Sequence, residues 1–284
     1  MIRVGDDLTL VTLLRAFRGK VVLTWVMILL ETTLMALVPL FIGFAIDDLL
    51  GEEIRGFAFL TALMVALVLV AVIRRIYDTR VYGTIRVELG FAQVERSPAL
   101  PVSALNARVG MGRELVDFLE HTLPEAMAAV VQLFISLTVL YVFSPVLAAA
   151  AGAAFMSIAL LYGLFHGRFY RLNAALNGQA ERQVCVLEGR NGRSVRSHLL
   201  RLRRFDVALS DTEAVLYGIV FVCLLGLILF NLWYAALFLV ITVGTVFSII
   251  SYSWEFVESS LALPMTLQSL SRLAEISRRL NAGT

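Results

Sequence analysis

Six apolar stretches dominate the chain, at 21–46, 57–73, 123–143, 146–165, 214–230 and 232–251. Each approaches the ~20 residues that a helix needs to cross ~30 Å of hydrocarbon. A soluble helix keeps a polar face, and these runs do not. With their polar ends included, spans are predicted at about 21–46, 57–77, 123–143, 146–166, 214–236 and 237–258. The pattern therefore predicts an all-α membrane protein with six transmembrane helices. Before the first span, Leu10, Leu13, Leu14 and Phe17 recur at i, i+3, i+4 and i+7, with Arg15 and Arg18 elsewhere on the wheel. This predicts an amphipathic helix over 8–19 lying at the inner interface.

Charge orients the spans. Arg15, Arg18 and Lys20 precede the first, whereas Asp47, Asp48, Glu52 and Glu53 follow it with Arg55 alone for compensation. The connections after the second and fourth spans are rich in arginine; the turns at Phe143-Ser144-Pro145 and near Asn231 carry no charge. Basic residues thus alternate sides, and the positive-inside rule places both termini in the cytoplasm. The two arginine-rich connections, at about 78–122 and 167–213, continue helically and break only at Ser97-Pro98 with Pro101, and at Gly189-Arg190-Asn191-Gly192. They predict two long cytoplasmic helical hairpins.

Composition supports the bilayer as solvent. Of 284 residues 59% are hydrophobic, against ~45–50% in soluble domains. A net charge of +2 leaves no footprint for nucleic acid. Cys185 and Cys223 fall in segments on opposite sides of the inner boundary, so no disulfide framework is expected. Asp6 and Asp7 stand where a signal peptide would be basic, so none is expected.

The elbow helix, six spans and two hairpins resemble the transmembrane domain of ABC exporters. The run from Leu13 to Lys20, followed by an apolar run ending Pro39-Leu40-Phe41-Ile42-Gly43-Phe44-Ala45-Ile46-Asp47, is similar to that family's first helix. Asp117-Phe118-Leu119-Glu120 with Leu123-Pro124 resembles the approach to its third helix, and Thr242-Val243-Gly244 the start of its sixth. Ser271-Arg272-Leu273-Ala274-Glu275-Ile276 resembles the stretch that leads to the ATPase domain. That domain's phosphate loop, G-x-x-x-x-G-K-[ST], is not present, since Gly19-Lys20 lacks the earlier glycine and the following Ser/Thr. Leu172-Asn173, Leu176-Asn177, Arg201-Leu202-Arg203-Arg204 and Leu209-Ser210-Asp211 resemble a subgroup of stand-alone six-helix members lacking the nucleotide-binding domain. The resemblance implies a single transmembrane domain over 1–284, a homodimer in an inner (plasma) membrane, and a cavity lined by the first and sixth helices. The short hairpin tips weaken coupling to a separate ATPase subunit.

No catalytic constellation, metal cluster or cofactor motif stands out, so an enzyme is not expected. The informative residues are polar groups in apolar runs. Glu31 is about 11 residues into the first span, near the bilayer midplane at the helical rise. An ionised carboxylate there costs a few kcal/mol unless it is paired, hydrated or neutral. Glu255 and Glu258 share a face of the sixth helix. Their depth depends on whether the preceding turn lies at Asn231 or the helix starts at Val243. Gln132 in the third span is a candidate for interhelical hydrogen bonding. Glu31, Glu255, Glu258 and Gln132 are the candidate substrate or proton pathway, with structural hydrogen bonds and a solvated inner face as the rival readings. Arg74, Arg75 and Asp78 are expected to snorkel or pair at the inner boundary. The leading function is transport of a small solute, cationic or proton-linked. The alternatives are a membrane subunit driven by a separate ATPase and a non-transporting assembly protein.

Overall fold

The computed structural model describes residues 10–96 and 102–281, and helix accounts for 94% of it. The first two residues of the expected elbow and the proline-rich break at 97–101 lie outside the described residues, as do the side chains of Leu10, Leu13, Cys185 and the stretch 271–276. The helices are α1 (Leu10–Ala16), α2 (Arg18–Leu50), α3 (Arg55–Arg96), α4 (Val102–Asp117), α5 (Leu123–Phe143), α6 (Pro145–Glu181), α7 (Gln183–Glu188), α8 (Gly192–Phe238) and α9 (Val243–Asn281). Among the described residues, five helices are long and apolar enough to cross a membrane: Arg18–Leu50, Arg55–Glu95, Gly112–Phe143, Pro145–Ala180 and Gly192–Phe238. Only 11% of the most apolar stretch of α3 is buried, so its apolar surface faces outward, as an apolar solvent requires.

The sixth expected span, 237–258, departs from this pattern in two ways. Helix α8 runs through Asn231 without a break and ends at Phe238, so the chain turns at 239–242 and α9 starts at Val243. Asn231 lies among strong helix formers with no glycine or proline beside it, and its modest propensity cost does not stop a helix. Thr242 supplies the start signal: its Oγ1 accepts the Thr245 N–H at 3.2 Å, the N-cap geometry. Beyond Val243, Ser248, Ser251, Ser253, Glu255 and Glu258 make the described part of α9 more polar than the other five spans.

The chain divides into two compact units. One comprises Met1–Pro145 with Tyr234–Thr284, the other Val146–Trp233. In the first, α2 packs against α3, α5 and α9, and α5 against α9. Its apolar cluster joins Phe17 and Val21 to Val81, Tyr82, Ile85 and Leu89 of α3 and to Leu115, Phe118 and Leu119. Phe17 thus anchors the corner between α1 and α2.

Helices α4 and α5 form one run interrupted by a π-helical turn over Phe118–Thr122. Pro124 is the cause: it has no N–H, and its ring would meet the carbonyl four residues back. The chain widens by one residue, and the Leu123 N–H bonds the Phe118 carbonyl instead. Arg86 of α3 clasps this turn. Its Nη2 donates to Asp117 Oδ1 at 2.6 Å and to Glu120 Oε2, and its Nε donates to Asp117 at 3.2 Å. Burial works against the Arg86 charge, but the two carboxylates outweigh it and hold the guanidinium more firmly protonated than usual.

In the second unit, Leu147, Ala151 and Ile158 of α6 and Leu216, Val220, Leu224 and Leu227 of α8 are buried, a single stripe on each helix. The expected continuous helix to 190 is interrupted at Arg182, and the connection turns at 189–191. Arg190 takes a left-handed φ of 47°, and Asn191 Oδ1 then caps α8 by accepting the Arg193 N–H at 3.1 Å.

Candidate functional site

The site is built from the register of α2 against α9. Asp47 and Asp48, adjacent at the end of α2, each serve a different helix N-terminus. Asp48 Oδ2 accepts the Gly56 N–H of α3 at 2.7 Å, and Asp47 Oδ1 accepts the Gly244 N–H of α9 at 2.8 Å. Both carboxylates therefore sit where unpaired N–H groups and the helix dipole favour negative charge. Asp47 Oδ2 also accepts the Thr242 hydroxyl. One turn further in, Gly43 and Gly244 bring the backbones together, since a Cβ on Gly244 would lie 1.9 Å from the Gly43 carbonyl oxygen. The Ser248 hydroxyl then donates to the Pro39 carbonyl at 3.1 Å, and the Tyr252 hydroxyl to the Ala36 carbonyl at 2.7 Å. Gly244, Ser248, Tyr252 and Phe256 recur every four residues and are all buried.

This zipper sets the next turns of α9 against the middle of α2. There an open pocket of about 610 Å³ is lined by Glu31, Thr32 and Met35 of α2, by Leu67, Val68 and Ala71 of α3, by Gln132 and its neighbours on α5, and by Glu258 and Ser259 of α9. Three of the four candidates read from the sequence, Glu31, Gln132 and Glu258, thus line one cavity. The fourth, Glu255, is not a lining residue but holds one in place: Gln132 Nε2 donates to Glu255 Oε2 across α5 and α9. Glu258 accepts the Trp254 Nε1–H at 2.7 Å and makes no ion pair among the described residues.

Glu31 is not a solitary acid. Arg74 Nε donates to its Oε2 and Arg74 Nη2 to its Oε1 at 3.2 Å, a two-point pairing. The third nitrogen, Nη1, reaches Asp78 at 3.0 Å. Arg74, read as an interfacial residue, is therefore the partner that makes Glu31 tolerable. No group of three or more His, Cys, Asp or Glu residues suited to a metal occurs among the described residues.

The sequence from residue 10 to residue 244 matches the family model of the ABC transporter transmembrane region. The chain belongs to that family. No curated protein matches the chain. In this ABC transporter transmembrane region, the matched stretch starts in α1 and ends two residues into α9, so it holds the Asp47–Gly244 cap but leaves out Glu255 and Glu258. As an integral membrane protein of this family it is a membrane transport component in lipid contact.

Several residues that organise this transmembrane region escaped the sequence reading. Asp47 and Asp48 read as loop charges, and Gly244 as one residue of a resemblance. The available signal was partial: Thr242-Val243-Gly244 has the composition of a helix start, but the acid that caps it lies 195 residues away. The pairing of Arg74 with Glu31 likewise joins two different helices and left no local signal.

Proposed function

We propose that this ABC transporter transmembrane region works as a homodimer in the bacterial inner membrane, moving a small cationic solute or coupling its movement to protons. Both termini lie in the cytoplasm, with six spans, the sixth on α9, and α3–α4 and α6–α8 as two cytoplasmic hairpins. The alternation of basic residues supports the orientation. The apolar residues Met156, Leu160, Leu164, Phe221 and Val222, all well exposed on α6 and α8, support a surface that lipid or a second copy covers.

One observation carries the substrate class: Glu258 lines the pocket beside apolar walls, with no ion pair to neutralise it among the described residues. Glu31 shares its charge with Arg74 and shapes the pocket. Glu258, supported by Trp254, is the acid left to meet a cation, and the exposed Trp254 indole beside it adds an aromatic face that favours one. Along α2, Glu31 lies about 24 Å from Asp47, which puts the pocket in the inner half of a bilayer whose core is ~30 Å thick.

The test is proteoliposome flux of ethidium, a lipophilic cation, with an imposed proton gradient. Wild-type protein is expected to move the dye above protein-free vesicles, and Glu258→Gln to reduce the rate about tenfold, the worth of one charge-assisted contact. Flux equal to that of empty vesicles, or a Glu258→Gln variant as fast as wild type, would reject the reading.

A further inference from the structure

Glu255 meets the pocket through a second side chain. Gln132 of α5 lines the pocket, whereas Glu255 of α9 does not. Gln132 Nε2 donates to Glu255 Oε2, and no other hydrogen bond is found for the Glu255 side chain among the described residues. Glu255 also forms none of the ion pairs found among those residues. It is only part-buried, so water reaches it. A carboxyl group in an apolar span without a cation has two states open to it. It is ionised against the amide, or neutral with a proton taken from water.

The amide answers the two states differently. A glutamine side chain has its donors on nitrogen and its acceptor on oxygen. An ionised carboxylate only accepts, so it takes Nε2 and leaves Gln132 Oε1 to the pocket. A protonated carboxyl group also donates, and Oε1 belongs to the amide already in contact with it. The amide then turns, Oε1 leaves the pocket and Nε2 is freed to face it. A cation is drawn to the oxygen end of an amide dipole and repelled by the nitrogen end. The charge of ionised Glu255 acts in the same sense as the first orientation.

We infer that Glu255 carries a proton for a pocket it does not line, and that Gln132 relays its protonation by turning the pocket wall from hydrogen-bond acceptor to donor. The consequence for the solute rests on the cation reading given above. Proton and cation then exclude each other, and linkage makes each weaken the other by the same factor. A cation that enters releases the Glu255 proton to water, and a proton that returns to Glu255 releases the cation. Gln132 is the positioning residue of this exchange.

The ionisable surroundings are few. On α9, Glu258 lies three positions on and the Tyr252 hydroxyl is spent on the Ala36 carbonyl. From α2 and α3 come Glu31 and its partner Arg74. On α5 the ionisable residue nearest to Gln132 is Glu125, about 10 Å away along the helix. Helix α4 and the π turn also pack on α9, and their nearest ionisable residue, His121, lies further along the same run. Glu258 is therefore the other acid whose titration reaches the pocket without a cation partner, and the Glu255 variant separates the two.

The experiment measures ethidium binding to the full chain in phosphatidylcholine nanodiscs, in mildly acid and mildly alkaline buffer. Ethidium is a fixed cation, so the pH dependence belongs to the protein. Wild-type affinity should rise about tenfold toward alkaline buffer. Glu255→Gln, locked in the neutral state, should lose most of that rise and bind at the weaker, acid-side affinity throughout. Gln132→Met should do the same, because the ionised carboxylate loses the donor that holds it. Glu255→Gln can still accept from Gln132, so a purely structural pair would leave the pH profile unchanged. A second readout needs no solute. The infrared difference between the two buffers should contain a carboxylic C=O band that Glu255→Gln removes, and a side-chain amide band that Gln132→Met removes. A full rise of affinity in either variant, or the absence of either band, would overturn the switch. Both bands without ethidium binding by the wild type would uphold the switch and reject the cation reading instead.

Discussion

Arg74 on α3 grips both carboxylate oxygens of Glu31 on α2 while its remaining nitrogen holds Asp78. One guanidinium therefore serves two acids, and removing it leaves more unpaired charge than removing either acid. Glu31→Gln keeps an acceptor for Arg74 and leaves Asp78 in place. Arg74→Met strands two carboxylates. The side chains of Arg74 and Glu31 are 24% and 22% exposed. Their loss should thus fall below the ~3–5 kcal/mol of a broken, fully buried pair, at about 1–3 kcal/mol for Arg74→Met. Thermal unfolding in one detergent should rank wild type above Glu31→Gln and Glu31→Gln above Arg74→Met. The double variant should be more stable than Arg74→Met alone, since it removes one stranded acid. Simple additivity of the two changes would reject the coupling.

The contact between Gly43 and Gly244 leaves no room for a methyl group. A Cβ on Gly244 would lie 1.9 Å from the Gly43 carbonyl oxygen and 2.7 Å from Asp47 Oδ2. Gly244→Ala should push α9 off α2, breaking the Asp47 cap and the Ser248 bond together, at a cost of about 3 kcal/mol. Gly218→Ala is the control, because a Cβ there meets nothing within 4 Å. It should be neutral or stabilise by up to about 1 kcal/mol. Equal melting temperatures for the two variants would show that the close approach does not hold the helices.

The proposed orientation puts the acidic turn at 51–56 outside and the turn at 189–193 inside. Single cysteines at Glu53 and at Arg190, introduced without Cys185 and Cys223, report this directly. An impermeant maleimide added to intact cells should label the Glu53→Cys protein, and the Arg190→Cys protein only after the membrane is opened. Labelling of Arg190→Cys in intact cells would invert the topology.

What the sequence by itself determined is the solvent and the class. Apolar runs without a polar face call for lipid around helices, and no neighbour changes that preference, so the long α2, α3, α5, α6 and α8 were legible. So was the family, through the order of short motifs from Leu13 to Gly244. The candidate site was legible only in part: Glu31, Gln132 and Glu258 stood out as polar residues in apolar runs, and they line one cavity. Their roles were not legible. Whether Glu31 meets Arg74 and whether Glu255 holds Gln132 depend on how far one helix is turned and slid against the next. That rotation and shift come from tertiary contacts, here the Asp47 cap, the Gly43–Gly244 approach and the Tyr252 hydrogen bond. Hydropathy along the chain has no term for contacts between residues 197 to 216 positions apart, so they exist only once the helices pack.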